Sequence, residues 1–391
     1  MMNTVTTMEQ AIHPLVLTFN ILGLGVHIPE KLYISIFYNV TLWSAYSYLL
    51  YYIIITFELE MLFLATFTAI NNVISFLISI ISMIMNLYQH KMFKKRLAAV
   101  DDTLEELGTC KIYQKLHIFI KRVLIGWLVC TQIMNINDMM WWLRTQDHWY
   151  SIIPYIVNHY IHVNMLVALL FITFLWYIGT RFDKLNEHIR NLLLGKEHNV
   201  RYTWRKAVWT SNQYIMCINN YKHVLWTTMH LHLELCQLVR ELNAMFEIQM
   251  TMEMVAHLIF LTRLFRFFIV HITMDVFILS LADWIDVYLW VFLYIAKLFC
   301  LNYICESVSA KSNEMNTIIQ RLTDFLQYAD VRDEIYQFTL QIRRHPLKLS
   351  GLGLFYFGNG FLRKFVMSVL TFVIIIIQTP GAFKVFTYMG F

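Results

Sequence analysis

The stretch YIVNHYIHVNMLVALLFITFLWYIG, residues 155–179, is largely apolar and contains no acidic residue, lysine or arginine. A helix of about 20 such residues crosses the hydrocarbon core of a bilayer, because each residue adds about 1.5 Å to its length. Six further stretches have a similar length and character: residues 33–56, 61–88, 123–143, 250–274, 285–305 and 364–387. The chain is therefore predicted to be an all-α membrane protein with seven transmembrane helices.

The composition favours a membrane protein and argues against nucleic-acid binding. Apolar residues make up 58% of the chain, and the mean hydropathy is +0.52. The formal net charge is +5, but the basic residues fall between the predicted spans, where membrane orientation requires them. The six cysteines have no metal-ligand spacing, and no His-Glu-x-x-His or Gly-x-Ser-x-Gly motif occurs. Neither a metal, a cofactor nor catalysis is expected.

The distribution of lysine and arginine predicts how the chain is oriented. These residues are concentrated in the second, fourth and sixth connections, whereas the first, third and fifth hold only Arg144. Positive charge stays on the cytoplasmic side. The N-terminus is therefore predicted to be cytoplasmic and, with seven spans, the C-terminus extracellular. This orientation is the inverse of that of a G-protein-coupled receptor and argues against that class.

The long even-numbered connections are predicted to be helical. In the fourth, apolar residues repeat every 3.5 positions, and a looser stripe follows in the sixth. The two stripes are Leu231, Leu235, Leu238, Leu242 and Met245, and Val308, Met315, Ile318, Leu322 and Phe325. We expect these helices to extend below the membrane and pack into a cytoplasmic anchor. The alternative is that they lie on the bilayer as amphipathic surface helices.

These observations divide the chain into four predicted parts. The parts are a cytoplasmic N-terminus at 1–32, transmembrane helices one to six at 33–305 with long helical connections at 89–122 and 180–249, a cytoplasmic anchor segment at 306–363, and a seventh transmembrane helix with a short extracellular tail at 364–391. Four glycines close to the start of the last part predict a sharp turn ahead of the seventh helix.

The last predicted span contains a specific motif. Thr371 and Phe372 are followed by five apolar residues, Val373–Ile377, and then by Gln378 and Thr379. This pattern resembles the signature of insect gustatory receptors, which is Thr-Tyr, five apolar residues and Gln-Phe. Phe372 stands where the family has tyrosine, and Thr379 stands where it has phenylalanine.

The resemblance extends beyond this motif. Segments 338–342 and 352–355 resemble the family's cytoplasmic helix and the turn into its final span, and segment 231–246 resembles the stretch before the fifth span. The predicted order and orientation of the spans also agree with the family. Insect odorant receptors share that topology, but the Thr-Phe to Gln motif favours the gustatory branch.

The resemblance implies a tastant-gated, non-selective cation channel in the plasma membrane of chemosensory neurons. Its partners would be membrane lipid, a small-molecule tastant and other gustatory receptors, in a homo- or heterotetramer whose last helices line one pore. Carried over to this sequence, the pore and gate residues are Thr371, Ile374, Ile377, Gln378 and Thr379. In the alternative interpretation, Gln378 hydrogen-bonds at a helix interface. Thr379 is too small to occlude a pore as the aromatic ring of the family does.

A ligand pocket is expected among the outer halves of the first six spans, because polar groups inside a membrane usually face the protein interior or water. The candidates are Tyr52, Asn72, Asp138, Trp142, Asn158, His162, Arg263, Arg266, Asp286, Tyr288 and Trp290. Arg263 and Arg266 lie one turn apart, and they either form a cationic pocket, snorkel outward, or pair with Asp286 or Asp138. Lys297, midway along the sixth span, is interpreted as snorkelling or making a helix–helix contact.

A transporter is argued against by the sequence, and two other function classes remain as alternatives. A transporter usually shows internal repeats and helices broken by glycine or proline at mid-membrane, and this chain shows neither. An odorant-type channel would have the same topology and volatile ligands. A divergent seven-helix receptor without channel activity is the second alternative.

Overall fold

The computed structural model describes residues 5–24, 32–58, 77–78, 80, 93–145, 151–203, 211–273, 281–325 and 329–378. Within these residues the chain is almost entirely helical, as its composition predicts. In chain order the elements are α1 (Met8–Ile21), α2 (Leu32–Glu58), α3 (93–106), α4 (Tyr113–Thr145), α5 (Ile153–Val157), α6 (His159–Thr203), α7 (Ser211–Thr273), α8 (Leu281–Phe325), α9 (Ala329–Arg344), β1 (Ser350–Gly351), β2 (Phe355–Tyr356) and α10 (Asn359–Gln378).

Four described helices are long and apolar enough to cross a membrane. They lie at Tyr113–Met140, His159–Asn191, His223–Thr262 and Val287–Arg321, and they contain most of the third to sixth predicted spans. The first predicted span lies in α2, and the seventh begins in α10. Most of the second span, and positions 379–387 of the seventh, lie outside the described residues. The count of seven spans and the orientation of the termini therefore stay predictions.

The predicted span at 155–179 is not one helix, which corrects the sequence analysis. Helix α5 ends at Val157 and α6 begins at His159. Pro154 lies in the first turn of α5, where its missing N–H removes no helical hydrogen bond. The Asn158 N–H donates to the Pro154 carbonyl at 2.9 Å, which closes this short helix. The break leaves Asn158 between two helices, with its side chain buried.

Helices α7 and α8 continue far beyond the lengths that a membrane requires, as predicted. The stripe of leucines on α7 is buried, with Leu235 and Leu238 fully inaccessible, and Val308 and Met315 of α8 are buried as well. Both stripes therefore pack inside the helical bundle rather than lying on its surface. Leu322 and Phe325 have side chains outside the description.

Charged side chains join four helices at the end of the bundle that carries these stripes. Asp101 of α3 and Arg181 of α6 form a fully buried ion pair at 2.7 Å. Arg96 of α3 pairs with Glu234 of α7 at 2.7 Å, and Lys311 of α8 pairs with Asp183 of α6 at 2.5 Å. These contacts fix α3, α6, α7 and α8 relative to one another.

A short hairpin precedes the last helix and differs from the all-helical prediction. Strands β1 and β2 pair antiparallel, with Gly351 opposite Phe355. Gly353 has a φ of 69°, a conformation that glycine adopts at low cost. A side chain at Gly351 would collide with Phe355 and Thr251. The sharp turn predicted from the glycines is confirmed, but it contains two strands of two residues each.

The N-terminal segment contains helix α1, which the sequence analysis did not predict. The Thr7 hydroxyl accepts from the Gln10 N–H at 3.3 Å, and the Gln10 side chain accepts from the Thr6 N–H at 3.1 Å. This arrangement is close to a capping box, and its Thr-x-x-Gln spacing is a helix-start signal in the sequence. Apolar residues of α1, including Ile12 and Leu15, join the main core and pack near α4.

Candidate functional site

Four of the predicted pocket residues meet in one polar cluster between α4, the α5–α6 break and α8. The Asn158 side-chain amide donates to Asp138 Oδ2 at 2.5 Å and to Asn135 Oδ1 at 3.3 Å. His162 Nε2 lies 3.0 Å from the same Asn135 oxygen. The Trp290 indole N–H donates to Asp138 Oδ1 at 3.2 Å. We call Asn135, Asp138, Asn158, His162 and Trp290 the polar cluster.

The polar cluster is largely buried, with Asp138 and Trp290 half-buried, and is partly walled by aromatic rings. The side chains of Asn135, Asn158 and His162 are each less than a tenth exposed. The His162 and Trp290 rings are nearly parallel, with centroids 6.4 Å apart, and the Trp127 indole donates to the His162 carbonyl at 3.1 Å. His162 Nδ1 has no hydrogen-bond partner among the described atoms. Such a group is costly to bury and is available to a ligand.

A second group of rings lies beside the polar cluster, at the start of α6. The Tyr46 and His159 rings are 4.9 Å apart, and Trp43 lies edge-on to Tyr46 at 5.8 Å. The Tyr46 hydroxyl donates to the Ile156 carbonyl at 2.8 Å, which ties α2 to α5. Together with the polar cluster, this region combines flat apolar surfaces with a carboxylate, amides and an imidazole. Small ligand sites typically have this composition.

The remaining predicted pocket residues are not placed in the cluster. Tyr52 and Tyr288 are both more than half exposed. Asn72 lies outside the described residues. Four further residues lie on described helices but have side chains outside the description: Trp142, Arg263, Arg266 and Asp286. Their predicted roles, and the pairing of the two arginines, stay predictions.

Sequence reasoning missed Asn135, although a signal was present. Asn135 and Asp138 are three residues apart on α4, so both project from one face of that helix. Asn158 and His162 show the matching spacing of four residues on the other side of the site. Two polar pairs at helical spacing, each inside an apolar stretch, indicate facing polar surfaces.

An ion pair connects α7 and α8 nearer the middle of the bundle. Lys297 Nζ lies 3.0 Å from Glu253 Oε2, and both side chains are largely buried. The His257 ring stands edge-on to Tyr294 at 5.0 Å and lies next to this pair. The interpretation of Lys297 as a helix–helix contact is confirmed, because its partner lies on the neighbouring helix.

Helix α10 has one buried side and a broad exposed surface. Phe365, Val369 and Val373 recur every four residues and pack into the core, where α10 contacts α7 and α8. Met367 and Ile374 are 63% and 54% exposed. A helix turns 100° per residue, so Met367, Thr371, Ile374 and Gln378 lie along one face. The part of the chain that the structure describes leaves this face uncovered.

The motif residues of α10 occupy this exposed surface as far as they are described. Gln378 is the last described residue and is exposed, and the Phe372 ring is 47% exposed. The Thr371 hydroxyl donates to the Met367 carbonyl at 2.9 Å. The Ile377 side chain and the whole of Thr379 lie outside the description. The described gate residues are thus on the unburied side of the helix, and the role of Thr379 stays a prediction.

Comparison with known proteins identifies the family. A family model described as 7tm chemosensory receptor matches residues 22–379. The chain belongs to this family. The resemblance to insect chemosensory receptors is thereby confirmed at the family level, and the family is one of receptors and not a class of enzymes. No curated protein matches the sequence.

Two solved structures of a chemosensory receptor share the fold. The insect olfactory receptor OR5 from Machilis hrabei is 13% identical and superposes with a TM-score of 0.62, over 94% of this chain and 98% of the other. The same receptor in complex with eugenol is 14% identical with a TM-score of 0.63, over the same shares of the two chains. At these identities the likeness is one of fold.

Proposed function

We propose that this chemosensory receptor is a gustatory receptor, a tastant-gated, non-selective cation channel in the plasma membrane of chemosensory neurons. The observation that carries the proposal is the uncovered face of α10, where Thr371, Ile374 and Gln378 of the family motif lie together. In a homo- or heterotetramer, four such faces would surround one pore. Four Gln378 amides would form a polar constriction, and the isoleucines would resist wetting in the closed state.

The polar cluster is the proposed ligand site. It lies inside the bundle, joins three elements by hydrogen bonds, and contains a ring nitrogen with no described partner. A small molecule that adds a hydrogen bond there and stacks on the neighbouring aromatic rings would bind α4, α6 and α8 at once. Binding that differs between two arrangements of these helices would shift the balance between closed and open channels.

The first experiment is whole-cell and single-channel recording from cells that express the chain. The test compounds are sucrose, quinine, glutamate and eugenol, which cover sugars, bitter alkaloids, amino acids and volatile phenols. A current evoked by a non-volatile compound supports the gustatory type, and a response to eugenol alone supports the odorant type. A receptor that reaches the surface and shows neither resting openings nor a current with any of these compounds contradicts the channel proposal.

The pore assignment is tested by Gln378→Ala. The change removes the amide from the exposed face of α10, so single-channel conductance or resting leak is expected to change while surface expression stays normal. Gln337→Ala is the matched control, since Gln337 is an exposed glutamine on α9, outside the pore helix. Unchanged conductance and leak in Gln378→Ala would remove the pore assignment.

A further inference from the structure

The start of α10 has no capping side chain of its own. The Gly358 carbonyl accepts the first helical hydrogen bond, from the Leu362 N–H at 3.0 Å, so Gly358 occupies the N-cap position. A helix begins with N–H groups that its own backbone does not pair, and the N-cap side chain usually accepts from one of them. Glycine has no side chain for this purpose.

Helix α8 supplies the missing acceptors. The Gly358 N–H donates to Asn302 Oδ1 at 3.0 Å, and the Asn359 N–H donates to Glu306 Oε2 at 3.2 Å. Asn302 is fully buried, and its amide nitrogen donates to the Leu298 carbonyl at 2.9 Å. That bond orients the amide so that its oxygen faces α10. The Glu306 carboxylate also complements the positive end of the α10 dipole.

The backbone at Gly358 is shaped for this contact. Its φ is 137°, which L-residues rarely adopt, and a Cβ at this position would collide with the Glu306 carboxylate. Glycine therefore suits the backbone conformation, and its lack of a side chain leaves room for the Glu306 carboxylate to reach the Asn359 N–H. We call the contact of Asn302 and Glu306 with Gly358 and Asn359 the α8–α10 clamp.

The same helix also contacts the polar cluster. Trp290 of α8 donates to Asp138, and it precedes Asn302 by twelve residues, or about 18 Å of helix. Helix α8 contains neither proline nor glycine between Leu281 and Phe325. Kinks in helices mostly occur at such residues, so a shift of α8 at Trp290 is passed along the helix to Asn302 and Glu306.

We propose that Asn302 and Glu306 are positioning residues for the gate, and that they transmit movement of α8 to the N-terminal end of α10. The proposal rests on the proposed function, because it assumes that α10 lines the pore and that the polar cluster binds the ligand. It adds a physical connection between these two sites. Loss of the α8–α10 clamp would leave ligand binding and the pore lining in place but weaken the coupling between them.

The test uses Glu306→Ala and Asn302→Leu, with the conservative variant Glu306→Gln, in the full-length receptor. The probe is whichever of sucrose, quinine, glutamate and eugenol evokes the largest wild-type current, or the resting openings if none does. Loss of coupling is expected to change the half-maximal concentration or the open probability by roughly fivefold or more in Glu306→Ala. Glu306→Gln keeps an acceptor oxygen and is expected to lie closer to wild type. Single-channel conductance is expected to stay unchanged in all three.

A purely structural role would lower the number of channels at the surface without changing the opening of each one. Glu314→Gln is the matched control, because Glu314 lies on the same helix and its described contacts, with Arg190 and Asn186, are to α6. If Glu306→Ala does not reach the surface, Asn302→Leu decides. Wild-type concentration dependence and open probability in Glu306→Ala or, where that variant is absent from the surface, in Asn302→Leu overturn the proposal. If Gln378→Ala changes single-channel conductance in the same cells while the Asn302 and Glu306 variants behave like wild type, the coupling proposal fails and the pore proposal stands.

Discussion

At the scale of single residues, polar side chains inside an apolar sequence are the informative ones. Asp138, Asn158, His162 and Trp290 could each be named as pocket candidates because burying a polar group in a membrane is costly. The sequence could not show that they touch, since they lie on three separate elements. Asn135, which bridges Asn158 and His162, was not named, although its spacing of three residues from Asp138 places both on one face of α4.

Asn158→Leu tests the ligand site at this scale. The change keeps a similar volume but removes the donor to Asp138 and Asn135, and a hydrogen bond to a charged group contributes about 1.5–3 kcal/mol. We expect a loss of agonist potency of roughly tenfold or more, measured from concentration–response curves. Gln132→Ala, an exposed polar residue on α4, is expected to leave potency unchanged. Wild-type potency in Asn158→Leu at normal surface levels would contradict the site assignment.

At the scale of helices, the regular spacing of apolar residues predicted the packing of long helices, which the apolar stretches alone did not predict. The leucine stripe of the fourth connection predicted a packed helix, and the structure buries that stripe. The break at Asn158 was not predicted, since Pro154 is compatible with the start of a span and nothing in the next residues stops a helix. Tertiary contacts, such as the bond from Tyr46 to the Ile156 carbonyl, accompany the break. Contacts of this kind are invisible to periodicity.

The buried ion pair between α3 and α6 gives a stability prediction for these elements. In Arg181→Met, Asp101 loses its partner inside the core, which costs about 3–5 kcal/mol. The Tyr177 hydroxyl still donates to Asp101 at 2.6 Å, and this bond compensates only in part. We expect a clear drop in the melting temperature of the detergent-purified receptor. Arg190→Met, whose pair with Glu314 is about half exposed, is the control and is expected to cost about 0–1 kcal/mol.

Combining Asp101→Asn with Arg181→Met separates two contributions to the lost stability, namely the missing ion pair and the unpaired buried charge of Asp101. The double variant has no unpaired buried charge, so it is expected to recover part of the stability lost in the single variant. A melting temperature of Arg181→Met equal to that of Arg190→Met would show that the buried pair does not hold α3 against α6. Agonist potency serves as an independent check that the folded fraction still binds ligand.

At the scale of the whole molecule, the polar cluster lies far along the bundle from the ion pairs that join α3, α6, α7 and α8. The polar cluster contacts α8 at Trp290, and the ion pairs at the end of the bundle contact it at Lys311, which is 21 residues or about 32 Å farther along the helix. That distance is close to the thickness of a hydrocarbon core. The ion-pair end carries basic residues of the connections predicted to be cytoplasmic. The separation agrees with a bilayer between the two ends, with the polar cluster toward the outside.

This arrangement predicts the position of both chain ends in a cell. A tag at the C-terminus is expected to bind antibody on intact cells, whereas a tag at the N-terminus is expected to bind only after permeabilisation. The reason is that seven spans between a cytoplasmic N-terminus and the tail place the tail outside. A tag inserted at 196–197, in the fourth connection, is the internal control for the cytoplasmic side. A C-terminal tag accessible only after permeabilisation would reverse the direction of α10 or change the number of spans, and Gln378 could then no longer lie at the outer end of the pore.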